Sequence, residues 1–153
     1  MNKLIFLSMI ILWSCKTSKN ITETPVPFEN LGQGALYGNG KEGFLPKLYV
    51  IDNPTEWAEF LQKMNTVNDE SKKLKTTQID FDQKMVLALF DRVLGSGGAK
   101  IQIEKITETP DEIHVYARHI APQGSIGTMV MNQPFHIIST KKINKKVVLL
   151  MDK

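Results

Sequence analysis

Met85–Phe90 reads MVLALF, six apolar residues with no polar residue between them. A run this short and uniform is a strand covered on both faces, because a strand wet on one side would alternate. Such a strand needs one layer above it and another below, and the remaining chain must supply both. Lys100–Ile106 gives the contrast. Ile101 and Ile103 alternate with Lys100, Gln102 and Glu104, and the phase slips at Lys105-Ile106, which suggests a bulge or the strand end. Between the two runs, Gly95-Ser96-Gly97-Gly98 turns the chain with the backbone freedom of glycine.

The pattern extends in both directions. Thr109-Pro110-Asp111-Glu112 is a hairpin turn, after which Ile113, Val115 and Ala117 face inward while His114, Tyr116 and Arg118 face out. Phe135–Thr140 and Lys146–Met151 supply the closing strands, and Leu45–Ile51 an earlier one. Ala35–Tyr37 sits among Gly32, Gly34, Gly38, Gly40 and Gly43, so the opening strand is expected to be bulged or tightly turned. Asn53 can cap a helix that starts at Pro54, and Trp57, Phe60, Leu61 and Met64 form one apolar stripe ending near Asn65. Thr66–Gln78 is polar and Lys-rich, which predicts a loop. The fold class is therefore α+β and mainly antiparallel β. It is expected as a sandwich- or barrel-like sheet of about seven strands with one helix near residues 54–65.

Composition sets the outer bounds. The 153 residues are 42% apolar and 23% charged, which is globular and not disordered. A net charge of +3 is too small an excess to point to nucleic acid. Cys15 is the sole cysteine, so neither an internal disulfide nor a multi-thiolate zinc site is available.

The beginning of the chain reads as an address. Lys3 precedes Leu4–Trp13 (LIFLSMIILW), a run too short to span a bilayer but suited to a signal peptide. Leu12-Trp13-Ser14-Cys15 resembles the bacterial lipobox, although Trp13 stands where a smaller residue is usual. The resemblance implies a signal peptide over residues 1–14, a diacylglycerylated Cys15 and acylation of its new amine, by palmitate or a similar chain. The lipid would fix the protein to the cell-envelope membrane without spanning it, since each buried methylene adds about 0.8 kcal/mol. Lys16–Pro27 then reads as an extended tether, reaching at most ~40 Å at roughly 3.3 Å per residue. No acidic run follows Cys15, which favours the periplasmic side. Residues 28–153 remain as a single domain.

Several segments together are similar to the PrcB family of protease-complex subunits. They are Ile79-Asp80-Phe81, the MVLALF strand, the Gly-Ser-Gly-Gly turn, the Lys100–Ile106 strand and Gln133-Pro134-Phe135-His136-Ile137-Ile138, in that order. Tyr49-Val50-Ile51 and the Glu56-Trp57 helix start extend the likeness to roughly residues 35–150. Ala99 departs from it, because the family usually carries an aromatic residue after the paired glycines. The resemblance implies a lipoprotein that assists or stabilises a protease, without implying that this chain cleaves anything.

Residues that could carry chemistry are few. His114 and His119, five apart, fall on opposite faces of a regular strand, and His136 is expected to face away from the core. No serine sits in a nucleophile elbow, and Gly95–Gly98 lacks the Lys-Ser/Thr and following helix of a phosphate loop. Asp80 and Asp82 share a face but read better as strand-end hydrogen-bonding groups. Lys72, Lys73 and Lys75 form a small basic cluster that reads as a solvated loop or as a contact with anionic headgroups.

The most suggestive surface is a pair of loops, 94–99 and 121–132. Its candidate partner-binding residues are Gly95, Ser96, Gly97, Gly98, Gly124, Met129 and Met131, with Met129–Met131 either exposed or part of a short core strand. No catalytic residue, metal or cofactor is expected. The expected role is a non-enzymatic, lipid-anchored envelope protein that binds and stabilises or assists another envelope protein, a protease by the resemblance. A protease inhibitor presenting the same loops is the alternative, and an envelope enzyme of unknown type the second alternative.

Overall fold

The computed structural model describes residues 22–122 and 129–152. The signal peptide, Cys15, most of the tether and Gly124 lie outside the described residues.

Among the described residues, eight strands form two four-stranded sheets. In chain order they are β1 (Thr24–Pro25), β2 (Phe28–Leu36), β3 (Leu48–Ile51), β4 (Lys84–Phe90), β5 (Lys100–Glu108), β6 (Glu112–Ile120), β7 (Gln133–Lys141) and β8 (Lys146–Met151). One sheet has the order β1-β5-β6-β8 and the other β2-β7-β4-β3. Every pairing is antiparallel except β6 with β8, which is parallel. The fold is thus α+β and mainly antiparallel β, a sandwich with one helix.

β4 is the pivot, and its six apolar residues divide by parity. Met85, Leu87 and Leu89 enter the core between the sheets, with Ile101, Ile103, Ile106, Ile113, Val115 and Ala117 opposite them. Val86, Ala88 and Phe90 enter a second core beneath α1 (Pro54–Met64), with Trp57, Phe60 and Met64. Both faces are dry because each has its own covering layer. Burial of each such side chain contributes about 1.5–3 kcal/mol. Phe44 and Phe90 stack 4.1 Å apart at 3°, and Phe60 lies 5.2 Å from Phe44, so aromatic rings fill the helix side.

Local chemistry sets the elements. Asn53 Oδ1 accepts the Glu56 N–H at 2.9 Å, and Pro54 occupies the first turn. The register of β5 against β6 shifts between Ile103 and Lys105, the bulge that keeps Ile106 inward after the phase slip. β2 carries a second register shift between Asn30 and Gly32, and it begins at Phe28, earlier than its glycine cluster suggested.

Three expectations change. The tether ends before Pro27, because Thr24 and Pro25 pair with Glu108 and Thr107 and Val26 is buried in the inter-sheet core. The Thr66–Gln78 loop contains a short 3₁₀ helix, Glu70–Lys73, and sends Leu74 into the core under α1. His136 is buried, not outward, because β7 is covered on both faces and both parities of its side chains are interior.

Candidate functional site

Loop 94–99 meets the described end of loop 121–132 at one end of the sandwich. β4 hands over at Asp91, whose N–H donates to Pro134 O at 2.9 Å, and the chain then reaches Leu94. Leu94 and Asn132 exchange backbone hydrogen bonds of 2.7 and 3.0 Å, so residues far apart in sequence become a two-residue ladder. Asn132 is almost fully buried, and its Nδ2 donates to Ser96 O and Val130 O, each at 2.9 Å. That single amide staples both loops. A Cβ placed at Gly95 would lie 3.9 Å from Met131 Sδ. Gly98 holds a φ of +94°, and a Cβ there would come within 3.1 Å of Pro122, so bulk at this position is excluded by conformation and by contact.

The sequence places Gly95, Ser96, Gly97, Gly98, Met129 and Met131 in this surface, and the described residues among the two loops are brought together. Met129 is 98% exposed, Val130 42% and Met131 45%, which settles their side chains on the outside. Asn132 carries no sequence signal beyond its polarity; its staple is a tertiary contact.

Ala99 separates two hollows. One, of about 190 Å³, lies against β2 and is lined by Gln33, Gly34, Ala35, Tyr37 and Asn132. The other, of about 560 Å³, is lined by Asp91, Arg92, Leu94, Ser96, Lys100, His119 and Ile120–Pro122. In it, His119 Nδ1 donates to Asp91 Oδ2 at 3.0 Å, which orients the ring. Asp91 Oδ1 accepts the Arg92 N–H at 2.7 Å. Ser96 lines the same cleft, but no hydrogen bond joins it to His119, so a nucleophile–base link is not made.

The three histidines remain apart. His114 lies on the outer face of sheet β1-β5-β6-β8, between Glu23 at 3.4 Å and Glu112 at 3.3 Å. The Tyr116 hydroxyl, donating to Glu23 at 3.0 Å, holds that carboxyl below its usual range, and the Lys146 ammonium does the same for Glu112. His136 Nδ1 accepts the Ile103 N–H at 2.9 Å inside the inter-sheet core, and desolvation pushes its pKa down to about 4. Among the described residues, no group of three or more His, Cys, Asp or Glu side chains is placed to hold a metal ion. Asp80 accepts the Asp82 N–H at 3.0 Å, a turn leading into β4. In the basic cluster, Lys72 pairs with Asp69 and Lys73 with Glu70.

No family model matches the chain, and neither a curated protein nor a solved structure does. No helix among the described residues is long and apolar enough to cross a membrane.

Proposed function

We propose that this chain is a lipid-anchored bacterial envelope protein, similar to PrcB, that binds another envelope protein through the stapled loop pair and stabilises or assists it. A protease is the partner class that the resemblance suggests. The observation that carries the reading is the Asn132 staple. A buried amide ties loop 94–99 to residues 130–132, beside the exposed Met129, Val130 and Met131. Rigid scaffolds presenting loops are a common platform for recognition, and exposed methionine adapts to varied partner surfaces. The anchor rests on the lipobox at Cys15.

The test is crosslinking in native membranes with a tag after Lys153, measured against a Cys15→Ala control. A recurrent partner is expected, and its capture should fall for Gly97→Arg and Met129→Glu while thermal unfolding is unchanged. Gly97 is not among the positive-φ glycines, so a side chain is compatible with its backbone. Capture that is indifferent to both substitutions would overturn the loop surface, and the absence of any partner would overturn the reading. With a captured protease, added full chain should preserve or raise proteolysis, whereas a dose-dependent block would establish the inhibitor alternative. Incorporation of radioactive fatty acid should disappear in Cys15→Ala.

A further inference from the structure

Among the described residues, eight of the fifteen Lys and Arg side chains form ion pairs within the fold. Lys84 faces Glu29, Arg118 faces Glu104, Lys146 faces Glu112, and Lys141 and Lys145 share Glu108. Arg92 and Lys100 are two of the seven that do not, and they share one cleft. Both are exposed, both line the cleft of about 560 Å³, and neither has an ion-pair partner among the described residues. Lys41, Lys47, Lys63, Lys75 and Lys142 also lack an ion-pair partner among the described residues, but they lie outside this cleft.

Asp91, the acidic residue in the lining, offsets only one of the two charges. Its two carboxylate oxygens are already engaged, Oδ1 by the Arg92 N–H at 2.7 Å and Oδ2 by His119 at 3.0 Å. With Arg92 and Lys100 set against Asp91, the lining keeps an excess of positive charge. The remaining lining is largely apolar, with Leu94, Ile120 and Pro122 beside Ala99 and Ala121. A volume of about 560 Å³ suits a few groups of an extended segment and is too small for a helix.

We propose that this cleft receives an acidic segment of the partner protein. A carboxylate side chain sits between Arg92 and Lys100, and an adjacent apolar side chain rests on Leu94, Ile120 and Pro122. The inference rests on the protein-binding reading above and deepens it, because it names the chemistry that the loop surface recognises. Charge complementarity selects the occupant: a cleft with an excess of positive charge and a largely apolar lining fits an acid next to an aliphatic residue better than a neutral or basic strand.

The probe is fluorescein-labelled Leu-Asp-Leu-Glu-Leu, followed by fluorescence anisotropy on the full chain, with Leu-Asn-Leu-Gln-Leu as its neutral counterpart. The acidic peptide should bind saturably and weaken as salt rises. Affinity should fall at least about fivefold for the neutral peptide and for Arg92→Gln/Lys100→Gln. Lys41→Gln/Lys75→Gln removes the same charge elsewhere and should leave affinity unchanged, with thermal unfolding confirming that both variants are folded. Equal binding of the two peptides, or equal loss in the two double variants, would overturn the proposal. Displacement by 4-phenylbutyrate at lower concentration than the peptide requires would also overturn it, marking a pocket for small carboxylates. A partner captured equally by native chain and by Arg92→Gln/Lys100→Gln, but lost with Gly97→Arg, removes the cleft and leaves the protein-binding reading standing.

Discussion

His136 carries a pH dependence into the centre of the molecule. Its ring accepts the Ile103 N–H from the facing sheet, and only a neutral ring can do so. Burial lowers its pKa from 6.5 to about 4, so the unfolded chain binds this proton more readily than the folded one. The stability this residue contributes is complete above pH 6.5, declines as pH falls, and is lost once pH passes below about 4. The loss amounts to at most about 3 kcal/mol. Urea unfolding at several values between pH 7 and 4 should show that decline, and His136→Gln should flatten it. A parallel decline in the variant would assign the effect to other groups. Period-two alternation between Phe135 and Ile137 predicts an outward ring, and the prediction fails because alternation separates two faces without saying whether either is wet. Asp91 and His119 were invisible as a pair for a different reason: they are 28 residues apart, and only sheet packing joins them.

At the scale of elements, α1 was legible nearly to the residue, since its cap, its first-turn proline and its apolar stripe are all local. Asn53→Ala should therefore lower stability by about 1 kcal/mol. In a thermal scan this is a drop of a few degrees, with the folded spectrum unchanged. No shift would mean that the Glu56 N–H finds another acceptor. The bulge in β5 was legible too, because keeping Ile106 inward after Lys105 requires an extra residue. The 3₁₀ helix at Glu70–Lys73 was not: Leu74 is one apolar residue in a polar stretch, and one residue makes no period. Its burial depends on Gly32, where a Cβ would lie 2.5 Å from the Leu74 side chain. That contact belongs to the packed chain and to no segment of it.

For the whole molecule, the strand patterns gave the α+β, mainly antiparallel class but left sandwich or barrel open, and the domain's first strand was hidden. Thr24-Pro25 has the composition of a linker, yet the Val26 N–H donates to Ile106 O at 2.9 Å and its side chain closes the inter-sheet core. A chain starting at Phe28 should be less stable than one starting at Thr22 by about 1.5–3 kcal/mol, the value of one buried valine. Urea midpoints would measure the difference, and equal midpoints would show β1 to be dispensable. The position of β1 also sets a direction. The chain joins its sheet beside Glu108, while the stapled loops lie past Lys100, eight residues back along β5 and therefore roughly 26 Å away. In the lipid-anchored reading, the leash and the docking face occupy opposite poles. The seven residues from Lys16 to Thr22 add at most ~23 Å of slack. In that reading the loops would be turned away from the bilayer, which would favour a target rising well above the membrane over one lying flat within it.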